Sequence, residues 1–191
     1  MRMGRIEKFF VNSRFRAASA ARQADRALRI VKPCRGGRYL DIGCGTGAAA
    51  IHVARLHGMQ TVGLDVGREQ VEVAMHNALP EQKARFLTGD ASRLPFRSES
   101  FDVVACSMVM HHVRNWKSVL AEVVRVVKPS SFIIYRDFAA ANWAGTLLAR
   151  VTGRHGILTE PFLRSLALRF GLRQISASTR LMHYDAVWQK T

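Results

Sequence analysis

The sequence predicts a doubly wound α/β domain: a seven-stranded, mostly parallel sheet with an antiparallel C-terminal strand. Three observations carry this. From residue 39 to 135, short apolar runs alternate with helical stretches at a spacing that suits parallel strands joined by right-handed crossovers. The first of these strands, Tyr39-Leu40-Asp41-Ile42, runs directly into the glycine-dense turn Gly43-Cys44-Gly45-Thr46-Gly47 and then into strong helix-forming sequence from Ala48 to Leu56. The last third ends in two closely spaced strand patterns, which suits an antiparallel pair.

Taken in order, residues 6–31 read as helical, with Ile6, Phe9, Phe10 and Phe15 ahead of an alanine-rich face. Asn12-Ser13 is a plausible break or cap within this stretch, and Lys32-Pro33 ends it. The domain expectation is an N-terminal helical cap over residues 1–35 and one globular unit over 36–191. After helix 48–57, strand 61–64 ends at Asp65, and helix 68–78 leads to strand 85–88. Strand 101–106 follows. Trp116, Val119, Leu120, Val123, Val124 and Val127 give a helix that stops at Lys128-Pro129. Strand 132–135, helices 143–151 and 161–170, and strands 172–178 and 181–188 complete the reading.

With 191 residues and 48% hydrophobic content, the chain can bury a full core as one domain. No apolar run approaches the ~18 residues a membrane span needs, and the basic start lacks a signal peptide's apolar centre. Cys34, Cys44 and Cys106 are widely spaced, without metal-ligand spacing, and read as reduced thiols of a cytoplasmic protein. No metal is expected. The net charge of +15 is uneven: residues 1–38 hold 11 Lys/Arg against Glu7 and Asp25, while the centre is near neutral. A basic end raises affinity for anionic partners, so weak association with nucleic acid or with an anionic membrane surface is expected. Monomer and homodimer both remain open.

The chemistry lies at the strand ends, where open α/β sheets bind ligands. Asp41, Asp65, Asp90 and Ser107 fall at or just past the ends of strands one to four. An acid immediately before a glycine turn suits a cationic group better than a pyrophosphate. S-adenosylmethionine carries both an ammonium and a sulfonium. Asp65, about 20 residues past the turn, suits a carboxylate accepting ribose hydroxyls. Asp90 is placed to accept from an adenine amino group, with the Ala91 amide reading a ring nitrogen.

These residues resemble a family. Tyr39 to Gly47, Val62-Gly63-Leu64-Asp65, Gly89-Asp90-Ala91 with Leu94-Pro95-Phe96, Phe101-Asp102-Val103-Val104 and Arg125 to Pro129 are similar to the class I S-adenosylmethionine-dependent methyltransferases of Rossmann-like fold. Within these, the ubiquinone/menaquinone-biosynthesis-like (methyltransferase type 11) group is the nearest. The resemblance covers about residues 36–138 and is specific for fold and cofactor, weak for the acceptor. It implies that Asp41, Gly43, Cys44, Gly45 and Gly47 hold the methionine part. Asp65 then holds the ribose and Asp90 and Ala91 the adenine, with Val66 a further cofactor-binding residue. Ser107 and Met108 would line the pocket near the sulfonium, and a histidine is expected near His112, which His111 precedes. Ser130-Ser131 departs from the two glycines the family usually shows, which predicts a reshaped turn.

Methyl transfer needs alignment and, for a hydroxyl or ring carbon, loss of a proton, so His111 or His112 is the candidate base. A histidine pair opening a helix serves equally as a cap or pocket wall. Tyr135, Asp137, His155 and His183 are fallback candidates. The expected function is methyl transfer to a small or lipid-like acceptor, on O, C or N. The alternatives are an RNA or acidic-phospholipid methyltransferase, the latter peripheral at a membrane surface, and a module that binds the cofactor without using it. No Asn/Asp-Pro-Pro-aromatic turn ends strand four and no RNA-binding module is recognisable, which disfavours base methylation. Asp41 and the glycine spacing count against a nicotinamide oxidoreductase.

Overall fold

The computed structural model describes residues 14–140, 157–180 and 183–191. A single sheet runs in the order β3-β2-β1-β4-β5-β8-β7, from β1 (Arg38–Ile42), β2 (Gln60–Asp65), β3 (Ala84–Thr88), β4 (Phe101–Ser107), β5 (Val127–Ala140), β7 (Leu172–Arg180) and β8 (His183–Lys190). The strands β1 to β5 pair in parallel, and β8 is antiparallel to both β5 and β7. Around the sheet stand α1 (Arg14–Val31), α2 (Ala48–His57), α3 (Arg68–Asn77), α4 (Trp116–Val126) and α5 (Glu160–Arg169). Among the described residues no helix is long and apolar enough to cross a membrane.

Alternation of side chains across the sheet gives each face a core, with a smaller cluster of Cys44, Ala50, Val71, Ala74 and Phe86 beside the glycine turn. Leu40, Ile42, Val104 and Cys106 pack with Trp116, Leu120, Val123 and Trp188 on one face. Tyr39, Val103, Ala105 and Ile134 meet Ala24, Ala27 and Leu28 of α1 and Val53 of α2 on the other. The alanines of α1 let its backbone lie close to α2 and the sheet. Burying these apolar faces is the main source of stability, at about 25 cal/mol per Å² removed from water.

The expected strands and helices that fall within the described residues form, with differences at their ends. Helix 143–151 and residues 6–13 lie outside the described residues. The fifth strand reaches Ala140 rather than Tyr135, because β8 pairs with it from Phe132 to Phe138 and supplies partners for its backbone groups. An eighth short strand, β6 (Leu158–Thr159), pairs with the end of β5 and was not foreseen; two residues carry no periodicity. Ser130 corrects the expectation of a reshaped turn: it takes the left-handed conformation itself, at φ 59°. Gln189 donates its side-chain amide to the Ser130 carbonyl at 2.8 Å.

Candidate functional site

Strand order reverses between β1 and β4, which places a crevice at the carboxyl ends of those strands. A cavity of about 400 Å³ opens there. Asp41, Gly43, Cys44 and Gly45 line it from β1 and the glycine turn, Ser107 from the end of β4 and Met108 just past it, and Ala17, Ala20 and Gln23 from α1.

The turn is shaped by its glycines and by its hydrogen bonds. Gly43 sits at φ 70°, and a Cβ there would lie 2.1 Å from a Val109 methyl. Gly47, at φ 80°, caps α2 and leaves room for the Phe86 ring, which a Cβ would meet at 2.8 Å. Four of the five amides from Gly43 to Gly47 donate within the protein. Gly43 and Cys44 both donate to the Leu64 carbonyl at 2.7 and 3.1 Å, and Gly47 donates to Cys44 at 2.9 Å. The Gly45 amide donates to the Asp65 carboxylate at 2.9 Å. With those four amides committed, the turn offers a close backbone approach and adjoining carboxylates, rather than an anion cradle.

Asp41 is buried, and its carboxyl is pushed up to about 7. Burial is the largest cause, the charge on Asp65 adds to it, and the Ala50 amide opposes both. A buried carboxylate with so little compensation is a place where a cation is stabilised. Asp65 accepts from the Gly45 amide with one oxygen and from Gly67 at 2.8 Å with the other. Gly89 donates to the Asp65 backbone carbonyl at 2.9 Å, joining the ends of β2 and β3.

The predicted residues divide into two groups. Asp41, Gly43, Cys44, Gly45, Ser107 and Met108 share the cavity, whereas Gly47, Asp65, Val66, Asp90 and Ala91 do not line it. Val66 is 63% exposed, and Asp90 is exposed, its carboxylate accepting from the Ser92 amide at 2.8 Å. Hydrogen bonds from the Ser92 amide and hydroxyl, against a smaller opposing effect of burial, hold Asp90 below the usual carboxylate range. Ala91 packs partly buried against the core. Met108 adopts φ 58°, held there as its amide donates to the Arg136 carbonyl at 2.7 Å. A left-handed non-glycine residue at a cavity wall is strain kept in place by its neighbours.

His111 does not line the cavity. It is buried in the 3₁₀ turn Met110–His112, with Nδ1 2.6 Å from the Asp137 carboxylate of β5. That carboxylate also accepts the amides of His111 at 3.3 Å and Phe138 at 2.7 Å. Three donors on one acid identify an acceptor-only group, so Nδ1 carries a proton toward Asp137. The half-buried His112 ring lies 3.8 Å from that of His111, centre to centre. Phe138 connects this group to the cavity: its ring is 4.9 Å from His111 and 4.8 Å from His183, which is a cavity residue. Tyr135 is buried against Trp188, and His155 lies outside the described residues.

Among the cavity residues that sequence reasoning missed are Gln23 and Arg136. Gln23 of α1 accepts the Ser107 hydroxyl proton at 2.7 Å and reaches toward Asp185 at 3.5 Å, tying α1 to the end of β4. Arg136 lies 3.5 Å from Asp185, with its buried Nε in no aligned hydrogen bond. A glutamine inside an alanine-rich helix carries no signal in a single sequence. Arg136 follows Tyr135 directly, and a longer fifth strand would have pointed to it.

This crevice, with its buried acid before a glycine turn and a second acid ending β2, has the form of a class I methyltransferase cofactor site. Residues 40–135, half of the chain, match the family described as "Methyltransferase domain". The chain belongs to that family, and S-adenosyl-L-methionine is the cofactor. It is similar to norajmaline N-methyltransferase of Rauvolfia serpentina, with 35% identity over 133 residues, 65% of this chain and 46% of that protein. It is 39% identical over 110 residues to phthiotriol/phenolphthiotriol dimycocerosates methyltransferase 1 of Mycobacterium ulcerans, covering 56% of this chain and 40% of that one. A methyltransferase of Haloferax volcanii, solved with the Trm112 methyltransferase activator, shares the fold at TM-score 0.79 and 17% identity over 96% of each chain. The matches to the two curated relatives span less than half of each relative's length.

Proposed function

We propose that the chain transfers a methyl group from S-adenosylmethionine to a small or lipid-like acceptor with an apolar body and an anionic end. Within the family we assign it to the ubiquinone/menaquinone-biosynthesis-like group. The observation that carries the reading is the buried, poorly compensated Asp41 carboxylate in the crevice cavity. In this reading Asp41 takes the cofactor's ammonium while Gly43, Cys44, Gly45 and Gly47 pack against its methionine part. Asp65 accepts the ribose hydroxyls with the lone pairs its two amide partners leave free. Val66, Asp90 and Ala91 meet the adenine on the more open side. Ser107 and Met108 flank the reacting end. Within the expected N-terminal cap, the described helix α1 supplies the cavity wall that Gln23 fastens to Ser107.

Bound S-adenosylmethionine supplies an electrophilic methyl on a sulfonium. The protein's part is alignment, exclusion of water and, where the acceptor needs it, removal of a proton. His111 is the base in this reading: Asp137 fixes its tautomer and leaves Nε2 to accept. His112 is the alternative.

The acceptor reading rests on a second cavity of about 730 Å³ that shares Ser19, Gln23, Ile134, Arg136 and His183 with the first. Arg22, Arg26 and Arg180 line it together with Ile30 and Val187. Guanidinium groups beside aliphatic walls suit an acid on an apolar body. The relatives named for norajmaline and for phthiotriol dimycocerosates fit a small or lipid-like acceptor. Nucleic acid or anionic membrane contacts are secondary and weak here. The test is incubation of cell extracts with methyl-labelled cofactor and this protein. Label in acidic, organic-extractable products is expected; label confined to neutral water-soluble products would overturn the acceptor class.

A further inference from the structure

Three potential metal ligands meet where α1 packs on α2. Asp25 of α1 places one carboxylate oxygen 2.9 Å from His52 Nε2 and 2.7 Å from His57 Nε2, both on α2. The three ligand atoms all lie within 4.8 Å of one another. The arrangement is a poor hydrogen-bonding one. A single oxygen faces two ring nitrogens, and the buried His52 Nε2 finds no aligned partner despite its close approach. Half-burial of the three side chains, at 18%, 26% and 26% exposure, leaves an entry path from solvent.

We propose that Asp25, His52 and His57 form a zinc(II) site that clamps α1 to α2. Two imidazoles and one carboxylate are a donor set zinc takes with water in its fourth position. The imidazoles argue against calcium or magnesium, and the absence of thiolate from the trio argues against copper(I). Tetrahedral zinc at ~2.05 Å spaces its ligands by about 3.3 Å. The contacts at 2.7 and 2.9 Å therefore need to open by about half an ångström, which half-exposed side chains can do by small torsions. The rings are tilted by 57° with centres 6.4 Å apart, so both can aim at one point between them. Sequence reading expected no metal, on the spacing of the cysteines; residues 25, 52 and 57 come from two helices that only the fold brings together.

The consequence is mechanical. Upstream of Asp25, α1 carries Ala17, Ala20 and Gln23 along the crevice cavity, while α2 begins at the glycine turn. A metal across the two helices holds the cavity wall against the turn, and zinc is then expected to tighten cofactor binding several-fold. That second effect rests on the cofactor reading; zinc binding itself does not.

The test is titration of metal-stripped full chain with zinc against a chromophoric chelator, with thermal unfolding in parallel. One equivalent should bind at micromolar zinc and raise the unfolding temperature. Asp25→Asn, His52→Gln and His57→Gln should each weaken binding by about tenfold or more, while Cys34→Ser binds as wild type does. Two histidine variants are used so that one misfolded protein does not decide the result, and circular dichroism checks each. Absence of binding by wild type overturns the site. Binding unchanged in both histidine variants overturns it too, as does binding lost in Cys34→Ser.

Discussion

His111 and Asp137 form a buried pair, ring Nδ1 to carboxylate oxygen at 2.6 Å, in which the acid has no exposed surface. The contact joins the turn after β4 to the end of β5 and aims the second ring nitrogen away from the acid.

Removing the acid should cost stability first. Asp137→Ala leaves the His111 ring donor and two backbone amides without their acceptor in a dry site. A loss of about 3–5 kcal/mol in urea unfolding is expected. A loss under 1 kcal/mol would mean that water or another group serves these donors.

His111→Gln separates chemistry from binding. If Nε2 takes the acceptor's proton, turnover falls by about 10²–10⁴-fold while the calorimetric affinity for S-adenosylhomocysteine stays within about twofold. Unchanged turnover assigns His111 a structural role.

Asp41 gives the protein a pH dependence of predictable sign. Its carboxyl titrates at about 7 in the fold and near 3.8 when unfolded. Between these values the native chain holds a proton that the unfolded chain has lost, so stability declines as pH rises from about 4 through 7 and levels off above. The full difference is about 4 kcal/mol, taken as an upper figure. Asp41→Asn should remove this decline and be more stable than wild type at pH 8. It should also fail to bind cofactor, whose ammonium needs the ionised form. Chemical denaturation at pH 5 and 8 checks this; wild type gaining stability over that range, relative to Asp41→Asn, would contradict it.

Gly43 carries both a left-handed backbone and a steric limit. Gly43→Ala meets a Val109 methyl at 2.1 Å and adopts φ 70° at a cost of about 1–2 kcal/mol from the backbone alone. The total loss should be about 3 kcal/mol or more. Adding Val109→Ala should recover the steric part and leave the backbone part, an interaction that a double-mutant cycle measures. Additive losses would mean that the turn shifts instead.

Much of the sheet could be read from the sequence because β1, β2 and β3 are short runs stopped by glycine or acid at their carboxyl ends. Asp41 and Ser107 were legible for the same reason: a switch-point crevice selects residues at strand ends. Gln23, Arg136 and the Asp25–His52–His57 group were not. Gln23 and the Asp25–His52–His57 group depend on how α1 lies on the sheet and on α2, and helix docking leaves no local pattern; Arg136 lies on the part of β5 that extends past the strand the sequence predicts. His111 was legible as a polar residue after β4. Its burial was not, since Asp137 comes 26 residues later on a strand that reads shorter than it is. The closed hydrogen bonding of the glycine turn also escaped, because the Leu64 carbonyl and the Asp65 side chain are contributed by the neighbouring strand.

The measurement that bears most directly on the site is calorimetric titration with S-adenosylmethionine and S-adenosylhomocysteine, on wild type and on Asp65→Ala. Unfolding temperatures recorded alongside separate lost binding from lost fold. Micromolar binding by wild type, abolished in a folded Asp65→Ala, is the expected result. No binding by wild type, or equal binding by both, would contradict the assignment of the crevice.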